Sequence, residues 1–355
     1  MASARFSKAP IIFASLFALL LLLILLPHSP APQYLPGLSS RPKPIPNIVH
    51  YVYLKKDEHS VLHFTFQDFL SVYASIIYFN PTSILIHTDH NESSIGHAAT
   101  FGSKWTRKIL ADFPKVVSTN YAEAPTHANG NAISKIEHKS DFVRIEEVYR
   151  TGGVYLDWDV LPLRDVKYLR ESGFQNVVGR QPGGKINNGA FMSQKGSALT
   201  YLMKRDGPVV FNGGWETHSV KLITAISDRL VRSSGEVLIM DEKAFSPTSW
   251  KTGSVDELYA PHNDTPVTQS PQVNDLEEDP LLRWDNKNRA KEWELDFSGT
   301  YLLHAFRDRG HKVDGFEAVT VPYVLARDSN YALAAWPIVR YALDQGVINE
   351  SDVEP

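Results

Sequence analysis

Between Ile48 and Asp157 the chain switches repeatedly from short apolar runs to longer amphipathic ones, and this alternation limits its fold more than any other feature. Ile48–Leu54, Ser83–Asp89, Lys115–Val117 and Val154–Asp157 are short and apolar or β-branched, as strands are. Between them, Phe64–Phe79, residues 104–113 and Ile133–Arg150 have helical character, and Gly152-Gly153 ends the last of these. Strand and helix in turn predict a mostly parallel α/β sheet with helices on its faces. Ligands of such sheets collect at the carboxyl ends of the strands. The strand at Val154 runs out in Asp157-Trp158-Asp159. Farther on, Val177–Gly179, Gly189–Met192, Val237–Met240 and Thr300–Ala305 read as strands. Ser197–Lys204, Glu216–Val231 and Asn330–Leu343 read as helices. The polar, proline-containing stretch 261–291 reads as a long insertion or loop.

The N-terminal segment follows a different rule. Arg5 and Lys8 precede Ala9–Leu26, a stretch of eighteen residues without a charge. At ~1.5 Å per residue such a helix is about 27 Å long, enough for a thin secretory-pathway bilayer. Pro27, Pro30 and Pro32 crowd its exit and disfavour cleavage, so a signal anchor is expected rather than a removed signal peptide. Basic residues before the span keep residues 1–8 cytosolic and put the body in the lumen. Seven prolines in residues 27–46 make an extended stem, leaving residues 47–355 as the body. The triplets Asn91-Glu92-Ser93, Asn263-Asp264-Thr265 and Asn349-Glu350-Ser351 are glycosylation sequons and fit that side. The chain has no cysteine, which excludes disulfides, thiol catalysis and Cys-ligated zinc. Its 36 basic and 40 acidic residues are interspersed. No basic stripe exists for a nucleic acid, and none is expected as a partner.

Asp157 and Asp159 stand two apart at the end of an apolar strand. Paired carboxylates repel unless a cation lies between them, and hard oxygen ligands suit Mg²⁺ or Mn²⁺. The alternative is a loop with two solvated carboxylates. In the preceding helix, Asp141, Ile145 and Val148 fall on one face, so Asp141 points coreward, where a lone carboxylate is costly. Arg144 is three residues on and can pair with it. Either the two form a structural ion pair, or both project into a sugar pocket.

The block from Ser140 to Arg144, with Gly152-Gly153-Val154-Tyr155-Leu156-Asp157-Trp158-Asp159-Val160, resembles the signature of glycosyltransferase family 32. That family includes fungal mannosyltransferases and sphingolipid glycosyltransferases, with related signatures in α1,4-galactosyltransferases and clostridial glucosylating toxins. Ile45–His50, Asn187–Phe191, Phe245–Trp250 and His304-Ala305-Phe306 resemble further elements of it, in the expected order over residues 45–310. The resemblance implies a GT-A-type, Rossmann-like fold and retaining transfer of a hexose from UDP or GDP to a glycan, glycoprotein or glycolipid. It assigns Asp159 to Mn²⁺ or Mg²⁺, and Asp157 to the metal, ribose or sugar. Asp141 and Arg144 would meet donor-sugar hydroxyls, the strand around His50, Tyr51 and Val52 the base, and His304 the metal or diphosphate. Arg307, Arg309 and Lys312 follow His304 and can neutralise phosphate charge, or form a solvated basic loop beside a structural histidine. Asn187 and Asn188 would contact sugar or leaving group, or merely turn the chain before Gly189. A Golgi or ER membrane location, as a single-pass type II protein, completes the expectation. Asn212–His218 lacks the Gly-Pro that many relatives carry there, and Tyr53 stands where many have Trp.

Two other readings use the same residues. A phosphatase of the haloacid dehalogenase type also has Asp-x-Asp after a strand, with the first Asp as nucleophile, but expects Thr or Val where this chain has Leu161. A non-catalytic lumenal glycan-binding subunit would keep the fold without needing both Asp residues alongside Asp141 and Arg144.

Overall fold

The computed structural model describes residues 43–263, 291–306 and 311–355. The predicted span 9–26, most of the stem, most of 261–291, and Arg307 and Arg309 lie outside the described residues. Among the described residues no helix is long and apolar enough to cross a membrane.

The main sheet is built from β1 (Ile48–Val52), β2 (Ser83–Thr88), β3 (Val117–Tyr121), β6 (Gly153–Leu156), β8 (Asn176–Arg180), β9 (Ile186–Ser193) and β10 (Val237–Met240), while β4 (His127–Ala128) pairs with β5 (Asn131–Ala132) and β7 (Val160–Pro162) with β11 (Leu302–His304) as two separate ribbons. Their spatial order is β10-β8-β9-β6-β1-β2-β3. All neighbours are parallel except β9, which runs antiparallel to both β6 and β8. From β1 the chain steps outward to β2 and β3, then returns to place β6 on the other side of β1. The order therefore reverses between β1 and β6, and a crevice opens beyond their carboxyl ends.

Strand alternation feeds two cores. Val49, Tyr51, Ile84, Ile86, Val154 and Leu156 pack on one face, with the helix Phe66–Phe79 and the C-terminal helix Asn330–Asp344. Val52, Tyr155, Val178 and Phe191 pack on the other, with the helices Ile136–Thr151, Ala198–Val210 and Val220–Leu230. The result is the helix–sheet–helix sandwich expected from the sequence.

Several boundaries move. The third strand begins where the predicted one ends, because Val117 pairs with Ile84 and the rest of this edge strand is Ser-Thr-Asn-Tyr, without an apolar signal. The first long helix starts at Phe66 because Thr65 and Asp68 form a capping box. The helix predicted from Ile133 starts at Ile136, since Ile133 N–H donates instead to the Thr126 carbonyl. The helix predicted from Glu216 starts at Val220, and the one predicted to end at Lys204 continues to Val210. Thr300–Ala305 does not join the sheet: β11 (Leu302–His304) pairs antiparallel with β7 (Val160–Pro162) as a separate ribbon.

The turn into β6 depends on glycine. Gly152 and Gly153 have φ of 71° and 136°, regions that favour glycine. A Cβ on Gly153 would lie 2.5 Å from the Ile48 carbonyl oxygen. This close approach allows β6 to lie beside β1 directly after the helix.

Candidate active site

At the carboxyl ends of β1 and β6 lies a cleft of about 1130 Å³, lined by Val52, Asp141, Arg144, Asp157, Asp159, Asn187, Asn188 and His304 among others. It gathers the predicted site residues except Tyr51, Lys312 and His50, whose ring is buried against His87 and the Gly152 carbonyl. The Tyr51 ring is fully buried, and its hydroxyl is bonded to Ser71 and Ser75 at 2.9 Å each. Alternation turns Tyr51 into one core and leaves Val52 next to the cleft. The Val52 carbonyl accepts from Trp158 Nε1 at 2.8 Å. Trp158 also packs on Tyr51 and Phe64, so the central residue of the acidic triplet ties the turn to the sheet.

Arg144 organises one side of the cleft. Its Nη2 lies 3.3 Å from Asp141 Oδ1 and 3.2 Å from Asp157 Oδ1, while Nη1 donates to the Asn188 carbonyl at 2.9 Å. The guanidinium also lies over the Tyr155 ring, 4.6 Å from its centroid. Burial alone would lower the Arg144 pKa, but Asp157, Tyr155 and Asp141 outweigh it and hold the group charged. Asp157 is raised above the usual carboxylate range by burial and by Asp159, against the pull of Arg144, His304 and the Tyr155 hydroxyl, which donates at 2.6 Å. Asp157, the nucleophile of the phosphatase alternative, thus has both oxygens engaged, one by Tyr155 and both by Arg144.

Strand pairing delivers the rest. Asn187 and Asn188 are not a turn but part of β9, whose insertion beside β6 pairs Leu156 with Ala190. Asn188 Nδ2 donates to Asp141 Oδ1 at 2.8 Å. The β7–β11 ribbon places His304 opposite Val160, and the Ala305 N–H donates to the Asp159 carbonyl at 2.8 Å. His304 Nε2 lies 3.3 Å from Asp159 Oδ1. Asn187 receives the Gly189 N–H on Oδ1 and donates through Nδ2 to Gln181 and to His304 Nδ1. In this arrangement Asn187 holds the imidazole with Nε2 turned towards Asp159.

Asp157, Asp159 and His304 each offer a ligand atom, and these atoms lie within 4.8 Å of one another. The donor set fits a hard divalent cation. Gly189 completes the cradle: a Cβ there would meet Asp157 Oδ2 and His304 Cε1 at 2.6 Å.

Other residues of the site escaped the sequence reading. His218 Nε2 lies 3.1 Å from Asp141 Oδ2, although the two are far apart in the chain. His138, one turn before Asp141, crosses the His218 ring edge-on at 4.8 Å. Burial and the neighbouring His218 lower the His138 pKa. The only sequence signal was position: His138 falls on the Asp141 side of its helix, and His218 follows the Gly213-Gly214 break.

Residues 67–179 match the family described as "glycosyltransferase sugar-binding region containing DXD motif", a segment that includes Asp141, Arg144, Asp157 and Asp159. No curated protein gives a match. Among solved structures, the chain is similar to the PaToxG glycosyltransferase, at 14% identity over 54% of this chain and 72% of that one, with a TM-score of 0.38. Mouse xyloside xylosyltransferase 1 aligns at 10% identity over 57% and 87%, with a TM-score of 0.36. The glycosyltransferase GlyE of Streptococcus pneumoniae TIGR4 aligns at 10% identity over 85% and 65%, with a TM-score of 0.39. The matched segment carries the acidic triplet and its Arg–Asp partners, so residues 67–179 resemble a DXD-containing sugar-binding region and the chain is a glycosyltransferase.

Proposed function

We propose that this enzyme moves a hexose from UDP or GDP to a hydroxyl of a glycan, glycoprotein or glycolipid, with help from a divalent cation and with retention at the anomeric carbon. One observation carries the reading: Asp157, Asp159 and His304 converge at the sheet's ligand edge, directly beside the Arg144–Asp141 pair. Mn²⁺ or Mg²⁺ held by Asp159, with Asp157 and His304, would neutralise the diphosphate and stabilise it as a leaving group.

The chain's own residues do the remaining work. Arg144, pinned by Asp141, Asp157 and Asn188, keeps a fixed positive charge at the pocket floor and costs no reorganisation when the donor arrives. Asp141 and Asn188 form a hydrogen-bonded pair able to orient donor-sugar hydroxyls. Val52 lines the end where the base would lie. In same-face attack the acceptor hydroxyl approaches from the leaving-group side, and its proton passes to the departing phosphate oxygen. The Ala9–Leu26 span, with basic residues before it, supports anchoring in the Golgi or ER membrane with this body in the lumen.

The reading is tested by thermal shift of the full-length chain against UDP- and GDP-hexoses, with and without Mn²⁺. A true donor raises the melting temperature by mass action, and more so with the metal. No shift with any nucleotide-sugar, in either condition, would overturn it.

A further inference from the structure

Gln181 lines the cleft with 4% of its surface exposed, and neither the acidic motif nor the Arg144 cluster accounts for it. It stands in the turn between β8 and β9. Its N–H donates to the Lys185 carbonyl at 2.7 Å, and its carbonyl accepts from the Gly184 N–H at 2.9 Å. Gly183 and Gly184, at φ of 96° and 82°, close this turn. The side chain is therefore presented from a pinned backbone.

Hydrogen bonding fixes which end of the Gln181 carboxamide is free. The Gly189 N–H can only donate, so Asn187 turns Oδ1 to it and Nδ2 the other way. Asn187 Nδ2 donates to Gln181 Oε1 at 2.9 Å and meets His304 Nδ1 at 3.0 Å. Gln181 has to answer an N–H with its oxygen, and its Nε2 is the end left over. That nitrogen carries two N–H groups. It has no hydrogen-bond partner among the described residues, and it is not sealed from solvent. A residue this buried reaches solvent through the cleft it lines.

The neighbours identify the kind of ligand. Consecutive residues of a strand face opposite ways. Asn188 goes to Asp141, whereas Asn187 goes to His304, which faces Asp159. Gln181 belongs to the Asn187 side, the corner of Asp159 and His304. Arg144 is already engaged by Ser140, Asp141, Asp157 and the Asn188 carbonyl. Free N–H donors, with the oxygen turned away, suit an acceptor-only group such as a phosphate oxygen. A hydroxyl also has a proton to donate.

Resting on the transferase reading, we propose that Gln181 is a further catalytic residue, whose Nε2 donates to the diphosphate of the sugar donor as that group departs. The bond from the anomeric carbon to the phosphate oxygen breaks, and its electron pair stays on that oxygen. The acceptor hydroxyl oxygen forms the new bond to the anomeric carbon, and its proton goes to the departing phosphate. A neutral donor already held in place stabilises the growing negative charge without reorganising.

The test measures binding of UDP and GDP to the full-length chain by calorimetry with Mn²⁺, together with transfer kinetics from UDP- and GDP-hexoses. Gln181→Ala should weaken the diphosphate roughly tenfold or more and lower kcat roughly 10²-fold, with a melting temperature near the parent's. Gln181→Glu keeps an oxygen for Asn187 but has no N–H to give, so it should fail as badly. Parent-like diphosphate affinity and kcat in Gln181→Glu would make Gln181 only a support for Asn187 and overturn the proposal. So would diphosphate affinity unchanged in Gln181→Ala, even with a raised donor KM, the result for a contact to the sugar. Either outcome leaves the transferase reading standing. A parent chain that binds no nucleoside diphosphate and no nucleotide-hexose overturns both.

Discussion

Around Arg144 the chain itself engages the functional groups, whereas around Trp215 and Trp250 large rings face water. Arg144 is 5% exposed and Asp141 12%, each with several partners. The segment Asn212–Thr217, by contrast, forms no helix or strand, and contains Gly213 at φ 76°. The buried corner fixes charge where a leaving group would depart. The rim around Trp215 and around Trp250 braces each ring on one or two neighbours and leaves 40% and 45% of the two residues exposed. Chemistry common to many donors calls for preorganised electrostatics, while partner choice is set by loops that vary around a rigid scaffold.

The contrast can be broken most strongly at the acidic triplet. Asp159→Ala should reduce transfer by roughly 10³-fold or more while leaving the melting temperature close to that of the parent. Parent-like turnover of that variant with added Mn²⁺ would remove the metal from the account.

Next comes the guanidinium. Arg144→Ala leaves Asp141 and Asp157 together without their shared cation. Removing one partner from a buried ionic group costs about 3–5 kcal/mol, or roughly 5–8 °C in melting temperature for a body of this size. Calorimetry decides it: a drop no larger than that of an exposed-loop variant would mean the pair is not over-determined.

Acid should weaken the sheet itself. His50 and His87 are fully buried in β1 and β2 and stacked, with His50 Nδ1 bonded to His87 Nε2 at 2.9 Å. Burial depresses His50 to about 4 and His87 to about 3. Both are neutral in the folded and unfolded states above pH 6.5. Below it the unfolded chain binds protons that the folded chain refuses, so stability falls as pH drops from about 6.5 towards 4. The loss is on the order of 3 kcal/mol for His50 alone by pH 4. Denaturant titrations at stepped pH should show it, and His50→Asn should flatten the slope if the variant folds.

The smallest effect sharpens the link between the corners. His218→Ala removes the group facing Asp141 Oδ2 from the open side. The donor KM should rise by about tenfold as Asp141 loosens, with kcat and melting temperature changing less. Kinetics equal to the parent's would make His218 a packing residue only.

Legibility followed distance along the chain. The alternation from β1 to β6 could be read because periodicity declares which face of each element is buried. Asp141, Arg144, Asp157 and Asp159 could be read together because one helix, one Gly-Gly turn and one short strand connect them. Boundaries slipped where a cap or a partner strand set them, as at Thr65 and Val117. Tyr51 was placed at the ligand edge, but alternation buries it and leaves Val52 at the cleft.

The sequence by itself determined the sandwich and the acidic motif at its ligand edge, since both rest on local spacing. Tertiary structure alone decided that β9 would enter antiparallel beside β6, that the β7–β11 ribbon would bring His304 to Asp159, and that His218 would reach Asp141. Those contacts join residues far apart in the chain. Their register is chosen by which surfaces fit together on packing, information that no local window contains.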